Sequence, residues 1–409
     1  MQKSPTPARI DPSPAFAIAI ASVGLVGPLA VHIFMPIIPG IRTAFNVDDA
    51  TAQLAFSVSL VMMAVATLIY GSLSDRFGRR PLLMTGLALF LLGSGLCALA
   101  NSIPTLIIGR LFQAAGAGCG VTLVRTIARD AYGPERLVKV IAYLTMFYTM
   151  GPLLAPLAGG FLFDHFGWRS VFIFSFVCAA VISVGAFVLV PETRPPGEAA
   201  SNARVNIVCS YKELFSSARF TAFVFQTGMS SAVFYTMATG ASLLMKDILD
   251  RPASDFGLWF GLFPLGFFTG NLVSSRVGNK FSVEAMVFAG SLIGMLTTLT
   301  QAIALSSGYV SPLTLFLPGF FITFSQGIAL PFAQSGAMST VPRLAGTASG
   351  IGVFLQTFLG AIFAQSFGFM SNGTIWPLVI VTCVGSALVL LAGFLPWFAK
   401  RASAPGHSN

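Results

Sequence analysis

Apolar runs of about 20 residues recur along almost the whole chain, separated by short polar turns. One such run, wound as a helix, already crosses the hydrocarbon of a bilayer. A chain built of many of them cannot fold around one water-facing core. Its 409 residues are 55% hydrophobic and 9% charged, with a mean hydropathy of +0.82, far from soluble-domain averages. The 39 Phe residues fit lipid-facing and cavity-lining surface in a chain of this kind.

Reading apolar stretches between polar breaks predicts twelve membrane spans, near 16–40, 51–72, 81–100, 104–128, 137–162, 169–190, 219–245, 255–275, 282–303, 312–334, 344–368 and 374–397. Residues 191–217 are the one long, charged, Pro-containing connection. They divide the chain into a six-helix bundle over 16–190 and a second over 218–398, with tails at 1–15 and 399–409. Most of the 23 Lys and Arg residues fall in loops on the side of the N-terminus. Only Arg42, Arg169, Lys246 and Arg251 lie on the other side, and Arg110 and Arg125 lie within spans. The positive-inside rule then places both termini in the cytoplasm. The same scattering of single charges explains the net charge of +9 without a nucleic-acid partner. The first apolar run continues to about Gly40 with no small-residue cleavage site, which favours a retained span over a signal peptide. Five cysteines without a CxxC or Cys/His pair support neither a disulfide framework nor a metal site.

Gly71-Ser72-Leu73-Ser74-Asp75-Arg76-Phe77-Gly78-Arg79-Arg80 sets four charges in a turn between spans 2 and 3. This stretch resembles the loop between helices 2 and 3 of the major facilitator superfamily of transporters. The resemblance implies an all-α membrane protein whose twelve transmembrane helices form two pseudo-symmetric six-helix bundles. A weaker echo, Ser275-Arg276-Val277-Gly278-Asn279-Lys280, follows span 8 and fits a duplication of this kind. In such a fold Gly71, Asp75, Arg76, Gly78, Arg79 and Arg80 would act as a conformational latch. Asp75 would sit at the dipole of span 11, and the arginines would pair with Asp130 or Glu135. The plainer alternative is that these arginines are positive-inside anchors.

Three further segments resemble superfamily motifs. Span 4 carries Arg110, Gln113 and Gly116 in the Arg-x-x-Gln-x-x-Gly pattern. A guanidinium at this depth faces a cavity or a partner, unless it snorkels to the interface. Span 5 carries Gly151, Pro152, Ala155, Pro156, Gly159 and Gly160, which resembles the Gly-Pro-x-x-Gly-Gly signature of proton-coupled antiporters with Ala155 in the first Gly place. The prolines bend a helix, and Gly151, Ala155 and Gly159 make a flat packing face. Span 1 carries Val31-His32-Ile33-Phe34-Met35-Pro36-Ile37-Ile38-Pro39, which resembles the Asp-Met-Tyr-Leu-Pro-x-x-Pro signature of the Bcr/CflA (bicyclomycin and chloramphenicol resistance) branch of drug:proton antiporters. Here His32 stands in the acidic place. Arg129-Asp130-Ala131-Tyr132 and Gly167-Trp168-Arg169 also look like that branch.

None of the 14 acids falls at mid-membrane by these boundaries. His32 is then the deep side chain able to titrate near neutral pH, and it lies at a depth similar to Arg110, roughly 9–12 Å from the outer ends of their spans. His32 is either the proton carrier or a hydrogen-bonded packing residue. Asp164, Asp75 and Asp130 are the other candidates for the proton. A cation beside the cavity leaves room for neutral or weakly acidic amphiphiles, such as amphenicols. Gln113, Tyr143, Phe147, Gln226, Tyr235, Gln326, Gln334 and Gln356 are candidate cavity liners together with His32 and Arg110.

The expected function is therefore proton-coupled efflux of small drugs across a bacterial inner membrane, a multidrug antiporter conferring antibiotic resistance by rocker-switch alternating access. A monomer in contact with membrane lipids is expected, with no cofactor beyond the proton gradient. An exporter or proton symporter of a natural metabolite, a sugar or an amino acid, is the alternative. A transport-dead sensor or scaffold is a third reading. No ATP-binding Gly-x-x-x-x-Gly-Lys-Ser/Thr loop occurs, and three His with scattered acids assemble no enzyme site.

Overall fold

The structure is a computed structural model and describes residues 13–194 and 207–402. Linker residues 195–206, most of the two tails and the side chain of Glu135 lie outside the described residues. Within them the chain is helical throughout, without a strand. Among the described residues, eleven helical stretches are long and apolar enough to cross a membrane. A further one, α9 (Ala218–Asp247), has 30 residues and hence ample length, but its Ser, Thr and Gln content makes it more polar than the rest. Every span expected from the sequence has a helix, with ends displaced by a few residues.

The first span is built from three pieces, α1 (Pro14–Gly24), α2 (Val26–His32) and α3 (Ile38–Phe45), with a 3₁₀ turn at Met35–Ile37. Pro28, Pro36 and Pro39 each lack an N–H, which accounts for the interruptions. There follow α4 (Asp49–Phe77), α5 (Arg79–Ala98), α6 (Ile103–Phe166) and α7 (Trp168–Leu189). Spans 4 and 5 are joined within α6, where Gly133 takes φ 66° and breaks the helical path. The linker ends in a short helix, α8 (Ile207–Ser216), where the sequence reading expected only a polar connection. Leu214 of α8 is fully buried in an apolar cluster with Phe220, Phe223 and Val287. The remaining helices are α10 (Ala253–Phe260), α11 (Leu262–Val277), α12 (Val283–Ser306), α13 (Pro312–Thr340), α14 (Ala345–Met370) and α15 (Trp376–Ala402). Ser102, Ser217, Ser282 and Ser311 cap α6, α9, α12 and α13 by accepting from a first-turn N–H, as such residues do.

By contact the chain forms two compact units, residues 1–34 with 58–204, and residues 35–57 with 205–409. The end of span 1 and the start of span 2 pack with the later residues.

Glycine sets the helix crossings in each unit. In the first, a Cβ on Gly93 would sit 2.2 Å from Gln113 N, one on Gly116 would sit 2.4 Å from Gly86 O, and one on Gly118 would sit 2.7 Å from Ala66 Cβ. The backbones of α5 and α6 therefore touch, and α6 lies close on α4. In the second unit α13 meets α11 and α12 the same way, through Gly266 on Phe320 O, Gly327 on Phe267 O and Gly290 on Ser325 O, at 2.1, 2.5 and 2.7 Å. Without a hydrophobic drive between helices in lipid, close van der Waals contact through small residues is what holds them. The repeat extends to the turns. Gly78 and Gly278, equivalent in the two echoed motifs, both take positive φ, at 95° and 51°.

Candidate functional site

Two polar assemblies lie within the first unit. One surrounds the Gly71–Arg80 turn. Gly78 at φ 95° turns the chain sharply from α4 into α5, a conformation open to glycine at little cost. The turn buries Arg79, which is 4% exposed. Its Nη1 donates to Asp75 Oδ1 at 2.7 Å and to Ser74 Oγ at 3.2 Å, and its Nε donates to Asp130 Oδ2 at 3.0 Å. Of the three arginines expected to pair with an acid here, Arg79 is buried against Asp130, whose other oxygen is approached at 3.6 Å by Arg129, a residue outside that expectation. Arg76 instead lies over the Phe77 ring and Arg80 over the Phe187 ring.

Glu192 completes this assembly, and sequence reasoning gave it no role. Its carboxylate accepts from the backbone N–H of Arg79 at 2.9 Å, of Arg80 at 3.2 Å and of Arg194 at 3.0 Å. Arg194 Nη1 donates to Arg76 O at 2.9 Å. The chain leaving α7 is thus strapped across the start of α5. Burial pushes the Glu192 carboxyl up, but the N–H groups of Arg194, Arg79, Arg80 and Thr193 outweigh it and hold it below its ordinary value. A carboxyl with a depressed folded value contributes stability above its unfolded value and loses it as pH falls through the folded one. The strap should therefore be intact at neutral pH and released only below the ordinary carboxylate range. Glu192→Gln should weaken it at neutral pH by about 1 kcal/mol, given its partial exposure. Limited proteolysis after Val190 measures this: cleavage should speed up in the variant or in acid. Equal rates in all conditions would contradict the strap.

The second assembly lies where span 1 is interrupted. α2 ends at His32, whose Nδ1 lies 3.1 Å from Pro28 O. For that contact to be a hydrogen bond the proton must be on Nδ1, leaving Nε2 as the basic nitrogen of the neutral ring. Arg110, 1% exposed, reaches from α6 to the same segment. Its Nη1 donates to Ala30 O at 2.8 Å and to Gln113 Oε1 at 2.5 Å, and its Cζ lies 4.3 Å from the Phe34 ring centroid. Gln113 Nε2 in turn donates to Ser94 Oγ of α5 at 2.9 Å. Arg110 is thus enclosed by protein and does not snorkel. Its contacts at Ala30 and Phe34 bracket His32, which is itself 6% exposed. Gly151 packs on Pro28 and Gly159 on Ile33 O, at hypothetical Cβ distances of 2.2 and 2.4 Å. The Gly151, Ala155, Gly159 face of span 5 thereby backs the segment that carries His32. Pro152 and Pro156 sit in a continuous helix, and Pro156 and Gly160 are buried.

The other candidates divide by setting. Asp164 is exposed in the last turn of α6, and Tyr143 and Phe147 are 55% and 37% exposed. In the second unit Gln226 is buried, its Nε2 donating to Ser291 Oγ at 3.1 Å, and Gln326 Nε2 donates to Ser231 Oγ at 3.4 Å. These two amides, like Gln113, join helices. Gln334 is exposed in a cleft with Thr227, Met338 and Ser349. Gln356 is half-buried on α14. The Tyr235 ring lies 6.0 Å from that of Phe56 and lies against Gly360.

Comparison with known proteins gives these features a family. The Major Facilitator Superfamily profile matches residues 20–365. Multidrug resistance protein D of Escherichia coli K12 is 30% identical over 83% of this chain and 85% of its own. Multidrug resistance protein MdtL of Escherichia coli O81 is 27% identical over 92% of this chain and 95% of its own. Among solved structures, a D-xylose–proton symporter superposes with a TM-score of 0.75 at 15% identity, covering 94% of this chain and 97% of that one, which shows a shared fold. A non-enzymatic transport protein crossing the membrane many times accounts for the apolar helices, the repeated glycine crossings and the charged turn together: the chain belongs to the major facilitator superfamily.

Proposed function

We propose that this transporter exports small amphiphilic drugs across the bacterial inner membrane in exchange for entering protons, by rocker-switch alternating access. Neutral or weakly acidic antibiotics of the amphenicol kind are its favoured cargo. It acts as a Bcr/CflA-like antiporter, a monomer with both termini cytoplasmic and with the proton gradient as its energy source. The observation that carries the drug reading is that two relatives named for multidrug resistance match more than four-fifths of this chain and of themselves. The cargo preference is supported by Arg110, a buried cation beside the interrupted span. A second cation brought near it would have to overcome repulsion at low dielectric. His32 carries the proton in this reading, and Asp75, Arg79 and Asp130 hold the turn that biases the two states.

Expression in a bacterial strain stripped of its own efflux pumps tests the cargo. Amphenicol tolerance should rise several-fold, while tolerance of ethidium-type cations should stay at the level of cells lacking the transporter. Efficient export of such cations with amphenicols ignored would contradict the preference. Export of a sugar or amino acid with neither drug moved would replace the drug reading with metabolite transport.

A further inference from the structure

At the end of α4 opposite the Gly71–Arg80 turn, residues 35–57 pack with the 205–409 part of the chain. Arg42 of α3 forks onto Asp247 at the end of α9, with Nη1 to Oδ2 at 2.8 Å and Nη2 to Oδ1 at 2.5 Å. Its Nη1 also donates to Asp49 Oδ1 at 2.8 Å. The other oxygen of Asp49 accepts from Ser371 Oγ at 2.6 Å, just beyond α14. Two more side chains donate to main-chain carbonyls of the segment: Ser242 to Met35 O at 2.8 Å and Gln365 to Ala50 O at 3.0 Å. α4 lies flush on α14 at Gly368, where a Cβ would come within 2.8 Å of Gln53 Cβ.

One residue works against this clasp. Gln53 is fully buried at its centre, and neither amide atom has a hydrogen-bond partner among the described residues. Sealing a primary amide without partners is destabilising, because the group gives up its bonds to water and receives nothing in return. A planar, two-pronged Arg–carboxylate contact is among the stronger polar contacts available, and the side chains of Arg42 and Asp247 are 24% and 16% exposed. The same surface therefore contains a strong attachment and a built-in penalty. α4 runs through residues 49–77 as one unbroken helix, so its first turns leave α9 and α14 only if the whole rod tilts.

We propose that Arg42 and Gln53 are opposed positioning residues for the conformational step of transport: the Arg42–Asp247–Asp49 fork holds residues 35–57 onto α9 and α14, and the sealed Gln53 amide keeps that hold weak enough to release. This rests on the alternating-access part of the proposed function and on neither the cargo nor the coupling ion.

Nitroxide labels on Ala44→Cys and Asn372→Cys report the clasp, since both positions are exposed. The five native cysteines are replaced, and pulsed dipolar distances are recorded in lipid nanodiscs without cargo or gradient. Arg42→Gln should lower the ratio of short-distance to long-distance populations about fivefold, and Gln53→Met, close in volume but apolar, should raise it about fivefold. The exchanged pair Arg42→Asp with Asp247→Arg should restore the wild-type ratio, since an arginine at 247 again faces two carboxylates. A merely structural role would move both single variants in the same direction. An unchanged ratio in Arg42→Gln, an unchanged or lowered ratio in Gln53→Met, or no recovery in the exchanged pair overturns the proposal. Flux measured on the same proteins separates the two ideas. Unaltered distances with cargo still carried end the clasp and leave alternating access standing, whereas one fixed distance with no flux in any of them counts against both.

Discussion

Arg79→Ala is expected to cost the protein about 3–5 kcal/mol, the range for removing one partner of a buried ion pair. The reason is what stays behind. The side chain of Asp130 is 8% exposed, and without the Arg79 Nε it would be a buried carboxylate stripped of its closest cation, with Arg129 only reaching in from the surface at 3.6 Å. Asp75, with its side chain 61% exposed, re-solvates easily and adds little. Arg79→Lys should recover only part of the loss, because an ammonium cannot present Nε and Nη1 to two carboxylates and the Ser74 hydroxyl at once. Removing the stranded charge as well, in Arg79→Ala with Asp130→Ala, should leave a protein more stable than Arg79→Ala alone. Thermal unfolding in detergent ranks the four proteins. A single variant as stable as wild type, or a double variant worse than the single, would show that the turn is held by its backbone and by Glu192, not by Arg79.

Gly116→Val should be of comparable severity, for a steric reason. The nearest neighbours of a Cβ at this position are backbone atoms, Gly86 O and Phe90 N, both at 2.4 Å. No side-chain rotation relieves that contact, so α5 and α6 must separate, pulling Ser94 of α5 away from Gln113 of α6. Inserting bulk into a packed core typically costs about 1–3 kcal/mol, and more where the backbone itself must move. Gly185→Ala is the control: nothing lies within 4 Å of its added methyl on α7, and alanine suits a helix better than glycine. Folded yield after membrane extraction should collapse for Gly116→Val and hold for Gly185→Ala. Equal yields would contradict a backbone-to-backbone crossing.

Much of this architecture could be read from residue order because it rests on short-range rules. Spans end where charges make hydrocarbon untenable and a glycine lets the chain turn at positive φ, so Gly78, Gly167 and Gly278 mark turns in the sequence as in the structure. The Gly151–Ala155–Gly159 face needed only a four-residue spacing to be seen. α9 was also found, although it carries Gln226, Thr227 and Ser231, because its flanks break cleanly at Ser217 and Asp247. The features that residue order does not disclose depend on distant partners or on weak signals. Arg42 and Asp247 stand 205 residues apart, and no local pattern joins them. Glu192 looked like one more linker charge, since its partners are backbone N–H groups that every residue but proline carries. α8 was passed over as polar linker, although the spacing of Tyr211 and Leu214 hinted at one apolar helical face. Gln226 and Gln326 were expected at a cavity because amides are costly in lipid. In the structure each bonds to a serine on a neighbouring helix, Ser291 and Ser231.

Proton-driven exchange is the claim on which the functional account turns, and flux through purified protein in liposomes tests it most directly. With the lumen acidified relative to the bath, labelled amphenicol should accumulate inside as protons leave. A protonophore should abolish that accumulation. His32→Ala should carry cargo down its own gradient while no longer responding to the imposed pH difference. Accumulation that ignores the gradient, or that requires the acid to be outside, would contradict antiport, and an undiminished pH response in His32→Ala would remove the histidine from the coupling step.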